Sequence, residues 1–315
     1  MNIHYIEPLS GGWNRMKKAL FQPFDLAKWF TLGFTAFLAA LMDGGGGGGG
    51  GNSNIGKRSN ADLDDLFNFP GIAGQWLNDH PVWFTLIVIG VVLIFIIGII
   101  LTWLSSRGKF MFLDNVVYNR AEVKKPWYEF AKEGNSLFLW RFVYGLIVFI
   151  LIIGSLVYAF MGFRTMYFEN LEFTEMIMSI LGFVFYFFIL FVITGYISLF
   201  LDSFVVPIMY KNRISTTQAW GRFLPLMSSH LGHFFLYGLF IFVLIILTVI
   251  AVIIFGFGTC CIGFLLLIIP YVGSVVFLPV SFTFRAFSLE YLQQFGDDYQ
   301  IFPPELPDAD ELTVE

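Results

Sequence analysis

The stretch FFLYGLFIFVLIILTVIAVIIFGFGTCCIGFLLLIIPYVGSVVFLPVSFTF, residues 234–284, is 51 residues of almost unbroken apolar sequence. As one α-helix it would run about 76 Å at 1.5 Å per residue, more than twice the roughly 30 Å of a bilayer's hydrocarbon core. It must turn back once, and Gly256, Gly258 and Gly263 mark the turn. Continuous apolar runs of this kind lack the alternation of a membrane β-barrel, and helices close their own hydrogen bonds in lipid.

Four further apolar runs lie upstream, which gives an expected all-α, polytopic membrane fold with six transmembrane helices at 26–42, 82–104, 138–162, 180–201, 234–256 and 262–284. The composition agrees: 57% of residues are hydrophobic and 13% charged, against roughly 25% charged in ordinary soluble domains. Arg15, Lys17 and Lys18 precede the first run, but no small-x-small cleavage pattern appears before Asp43, so that run is read as a retained helix. Placing residues 1–25 inside puts 15 Lys and Arg on the inner segments and 3 on the outer ones, a positive-inside bias that sets both termini in the cytoplasm. Residues 43–81 then form an outer loop, with eight glycines at 44–51 as a flexible tether and a polar, acidic stretch from Asn60 to Asp65. The net charge of -5 owes much to an acidic tail within 285–315.

Self-comparison shows an internal repeat. Trp127, Phe130, Ser136, Tyr144 and Gly145 recur 93 positions later as Trp220, Phe223, Ser229, Tyr237 and Gly238, and Asn119-Arg120 recurs as Asn212-Arg213. A fainter third copy begins at Trp13. The repeated unit is read as a short interfacial amphipathic helix followed by a transmembrane hairpin, used three times, with Trp13, Trp127, Trp220, Arg120 and Arg213 as anchors at the inner leaflet. Pro126 and Ser215–Thr217 supply helix-start signals for two of these helices.

Chemistry-bearing residues are few. Asp114 and Asp202 sit at the inner ends of the second and fourth spans, and Arg285 in the comparable region of the sixth; they form a candidate polar cluster tying the hairpins together, with solvated helix ends as the alternative. Pro270, Gly273 and Pro279 interrupt the sixth span, as in helices that line transporter sites or in spans that merely bend. His230 and His233 are two ligands without a third, and Cys260-Cys261 is a single vicinal pair, so no metal or other cofactor is expected. The glycine run lacks the following Lys-Ser/Thr of a phosphate-binding loop. No catalytic constellation and no nucleic-acid-binding face stands out.

RMKKALFQPFDLAKWFTLGFTAFLAAL at 15–41, SRGKFMFLDNVVYNRAEVKKPW at 106–127 and FRAFSLEYLQQFG at 284–296 resemble a family of uncharacterised bacterial membrane proteins, a domain of unknown function. That resemblance implies a bacterial cytoplasmic membrane and adds no mechanism. The hairpin layout is more loosely similar to the membrane domain of glycerophosphodiester phosphodiesterases, but 30 residues follow Arg285, too few for the soluble hydrolase. The expected role is a non-enzymatic, lipid-contacting scaffold or accessory subunit with membrane lipids and a second membrane subunit as partners. The alternative is a permease or exporter of apolar or amphipathic molecules.

Overall fold

The computed structural model describes residues 3–43, 63–168, 173–259, 263, 266–267 and 269–303, with the side chains of 63–67, 167, 173 and 270 excepted. The glycine run, Asn60, Cys260, Cys261 and the acidic tail 305–315 lie outside them.

The described chain is all-helical. In order it forms α1 (Ile6–Phe21), α2 (Leu26–Ala40), α3 (Leu63–Asp79), α4 (Pro81–Val117), α5 (Lys124–Glu129), α6 (Ala131–Phe168), α7 (Phe173–Phe200), α8 (Val206–Asn212), α9 (Thr216–Ser229), α10 (Leu231–Gly258), α11 (Pro270–Val276) and α12 (Leu278–Gln293). A π-helical turn, Leu201–Val205, joins α7 to α8. Helix starts follow local chemistry. The Asp25 carboxylate accepts the Ala27 N–H at 2.8 Å and opens α2. Ser215 and Gln218 form a reciprocal capping box at the start of α9.

Four helices are long and apolar enough to cross a membrane: Pro81–Val117, Ala131–Met166, Thr174–Asn212 and Leu231–Gly258. The expected six differ at both ends. The first, 26–42, is the 15-residue α2, about 22 Å long and short of a 30 Å core. The sixth, 262–284, is not continuous: α11 ends at Val276, α12 begins at Leu278, and Pro279, in the first turn of α12, has no N–H with which to continue the ladder. The stretch read as an outer loop contains α3, with Pro70 inside it.

The chain divides into two compact units. One takes 1–48, 103–140 and 198–315, the other 49–102 and 141–197. In the first unit α1 lies antiparallel along α12, with His4 and Gln294 exchanging two hydrogen bonds of 2.8 and 2.9 Å and Arg15 meeting Glu290 at 2.5 Å. This close approach needs Gly12, where a Cβ would lie 2.8 Å from the Phe287 backbone nitrogen. Gly108 does the same on α4, its Cβ position lying 2.6 Å from the Leu38 carbonyl carbon of α2. The core is aromatic: Phe204, Phe223, Phe234, Tyr237, Phe287 and Tyr291 are all essentially buried and in mutual ring contact. Tyr5 and Tyr291 both donate their hydroxyls to the His233 carbonyl, at 3.2 and 3.0 Å.

In the second unit α6 and α7 meet through Ser155 Oγ and Tyr186 Oη at 2.9 Å, through Phe163 against Phe183 ring edge to face, and through the Tyr144 hydroxyl on the Thr194 carbonyl at 3.4 Å. Most of its large apolar side chains face outward, up to Tyr158 at 83% and Phe191 at 75% exposure. A surface so apolar around the whole helix circumference is stable only with lipid as solvent.

The glycine contacts give a stability contrast. Gly108→Ala forces backbone apart and is expected to cost about 1–3 kcal/mol, whereas Gly154→Ala, whose Cβ would meet open space, stays within about 0.5 kcal/mol of wild type or gains from helix propensity. Thermal unfolding of both variants in detergent checks this.

Candidate functional site

Helix α4 does not end where its purely apolar run ends. It continues through SSRGKFMFLDNVV, and every residue from Ser105 to Val117 except Arg107 is buried. Lys109 is 1% exposed. An isolated ammonium at such a position is prohibitively costly, and Lys109 meets two carboxylates: Asp43 Oδ2 at 2.5 Å and Asp202 Oδ1 at 2.5 Å. Asp202 sits in the π-turn, a widened turn that displaces its backbone carbonyl from the regular ladder. The Arg285 guanidinium of α12 donates to that carbonyl at 2.5 Å. Burial pulls the Arg285 pKa down while the Asp202 and Asp43 charges pull it back up. Two cations and two carboxylates thus sum to zero.

This geometry corrects one sequence assignment. Asp43 is expected to begin the outer loop and Asp202 an inner one, yet both touch one ammonium. A hydrocarbon core of about 30 Å cannot separate two groups that share a side chain, so Asp43 and Asp202 lie at one depth.

Of the candidate cluster, Arg285 and Asp202 are brought together, through the backbone carbonyl and not the carboxylate. Asp114 is engaged elsewhere. Its carboxylate accepts two bonds from Arg120, at 3.1 and 2.6 Å, and one from the Tyr210 hydroxyl at 2.8 Å. Burial works against the Arg120 charge, but the Asp114 hydrogen bond and charge outweigh it and raise the pKa. Asn119, at φ 50°, turns the chain so that Arg120 folds back on Asp114. Arg213, at φ 53°, pairs with the Glu129 carboxylate and covers the Phe130 ring at 3.9 Å. Phe130 in turn stacks on Tyr210 at 4.7 Å, and Tyr210 and Arg120 share the Asp114 carboxylate.

Trp13 stands half exposed on α1. Trp127 lies edge-on to Trp103, with the Arg107 guanidinium over both rings, and Trp220 stacks on Trp140 at 5.7 Å. Pro270 opens α11, and Gly273 is held there by the Leu267 carbonyl, 2.9 Å from where a Cβ would sit. The break falls between Pro270 and Pro279, at Phe277, whose N–H still reaches the Gly273 carbonyl at 2.9 Å. His230 bonds Ser229 at 2.8 Å. Among the described residues no group of three His, Cys, Asp or Glu is placed to hold a metal ion.

Lys109 and Asp43 escaped sequence reasoning. The available signal was the apolar FMFL immediately after Lys109, which argues that the helix continues inward, together with the 93-residue separation of Lys109 and Asp202, the same offset that relates Trp127 to Trp220.

Removing the ammonium strands two carboxylates. Because Asp43 and Asp202 are each about a third exposed, Lys109→Met is expected to destabilise by about 1–3 kcal/mol, the range for losing hydrogen bonds to charged groups. The double exchange Lys109→Asp with Asp202→Lys should recover part of the loss. Arg285→Asp with Asp202→Arg should recover less, because the Arg285 hydrogen bond goes to a main-chain oxygen and only its charge is felt by the carboxylate. Unfolding temperatures of the single and double variants separate these outcomes.

No curated protein and no solved structure matches this chain. The family DUF7544 matches residues 3–292, nearly the whole chain, and the protein belongs to it, a family of unknown function.

Proposed function

We propose that the protein is a non-catalytic, lipid-contacting scaffold or accessory subunit of a membrane complex in a bacterial cytoplasmic membrane. The observation that carries this reading is the division between charge and lipid-facing surface. The long helices expose apolar side chains over their most apolar stretches, while the charges that meet at the buried Lys109 neutralise one another within the chain. Such an arrangement holds helices together.

The hydrogen bonds between His4 and Gln294 support termini on one side of the membrane, and the bias of Lys and Arg makes that side the cytoplasm. A short helix precedes a longer one in two places, α5 before α6 and α9 before α10, while α1 with 16 residues precedes an α2 of 15. In this reading Trp13, Trp127 and Trp220, with Arg120 and Arg213, hold those short helices at the inner leaflet.

A second reading, a permease for amphipathic molecules, draws on one specific observation. The π-turn carrying Asp202 and the helix broken at Phe277, which carries Arg285, meet at a single hydrogen bond, and irregular helices in membranes often mark sites.

Native mass spectrometry of protein extracted in its own lipids distinguishes the two. The expected result is a stoichiometric protein partner or tightly held lipid. A bound small solute without a partner, together with solute flux into liposomes that Pro279→Ala abolishes, would replace the scaffold by the permease.

A further inference from the structure

A cavity of about 430 Å³ opens between α1, the end of α4 and α12. Ala19, Val116, Val117 and Phe282 give it an apolar floor, and Asn14, Arg15, Lys18, Asn119 and Glu290 line it with polar groups. Glu290 is already committed. It takes Arg15 Nε at 2.5 Å, while the Arg15 guanidinium lies 3.9 Å above the Phe302 ring, so Arg15 is fixed in place and its charge largely balanced. Lys18 is not balanced: neither it nor Asn14 has a hydrogen bond or ion pair among the described residues. Asn119 accepts from Lys28 Nζ at 2.9 Å through its amide oxygen, which brings a further cation to the edge and leaves the amide hydrogens for the cavity.

The lining is therefore rich in donors and carries an excess of positive charge, the chemistry of an anion site. The volume exceeds what a lone ion fills and falls at the small end of ligand pockets. Apolar residues stand beside it. Trp13 on the same helix and Phe21, Phe24 and Leu26 at the α1–α2 corner are half exposed or more, as on a helix seated in the headgroup layer. We infer that this cavity binds a phosphate ester, the headgroup phosphate of an anionic phospholipid, with Lys18 and the Asn14 and Asn119 amides on the phosphate oxygens and the acyl chains leaving toward the exposed aromatics. The inference rests on the lipid-contacting half of the proposed function and adds to it a defined site and headgroup class.

The test uses the purified full chain in detergent, titrated with phosphatidylglycerol or phosphatidylcholine and observed by native mass spectrometry. Lys18→Glu is compared with Lys17→Glu, which reverses an exposed charge on the same helix outside the cavity lining. Wild type should retain one phosphatidylglycerol at about tenfold higher affinity than phosphatidylcholine, whose phosphate is the same but whose choline ammonium is repelled by the cations around the cavity. Lys18→Glu should lose that preference and Lys17→Glu keep it. Glycerol 3-phosphate competes in a separate arm. If it binds as tightly as the lipid, the phosphate-ester site stands and its natural occupant is soluble. Equal losses in the two variants would mean diffuse surface electrostatics, and equal affinity for the two lipids would mean no headgroup site; either overturns the inference. A stoichiometric protein partner found alongside such a result would leave the scaffold reading standing without this pocket.

Discussion

One buried ammonium, shared by Asp43 and Asp202, is the constraint on which the first unit turns. A lysine withdrawn from solvent must be paired, and its pairing fixes the end of α2, the inward extension of α4 and the π-turn after α7 at a common point. Arg285 adds α12 to the same point without adding a carboxylate, since it uses a main-chain oxygen. The aromatic core and the α1–α12 contact then build on elements already held in register. Replacement of such a charge group by apolar residues of equal volume can be neutral in energy, so its value here lies in specifying which helices meet.

The two units put the same residue types to different use. The first contains an interlocked, buried set of Phe and Tyr side chains around Phe204 and Tyr291, whereas in the second most large aromatic side chains face outward. Glycine shows a related contrast, although Gly221, Gly232 and Gly258 of the first unit also meet open space. Gly12, Gly33 and Gly108 stand where a Cβ would press on a neighbouring segment, whereas Gly90, Gly98, Gly154 and Gly182 face open space. Tight packing is thus concentrated where backbone approaches backbone around the ionic cluster. The lipid-exposed helix faces are held by their own internal hydrogen bonds, as spanning helices require.

Helicity and the lipid environment were legible because they depend on composition and run length, which are local. The four long helices lie where the apolar runs between 82 and 256 lie, with ends extended by several residues into amphipathic sequence. The 17-residue run at 26–42 is shorter than a full span, and Pro270 with Pro279 interrupts the last. What the sequence hid was partnership. Asp114 chose Arg120, six residues away across the turn at Asn119, over Arg285, because that turn presents a fork of donors with no long-range cost. Lys109 looked like one more inner-face charge among several, and only burial, a property of the whole fold, distinguishes it from Lys124 or Lys125.

The pairing of α1 with α12 joins residues 275 positions apart in the case of Arg15 and Glu290. During synthesis α1 leaves the ribosome well ahead of α12 and has to wait for it before its buried face, with Met16 and Leu20, is covered. Until then that face is open to chaperones, proteases or the membrane surface. The contact therefore makes the cover of one helix conditional on another far along the chain: without α12 in place, α1 is an orphaned amphipathic helix.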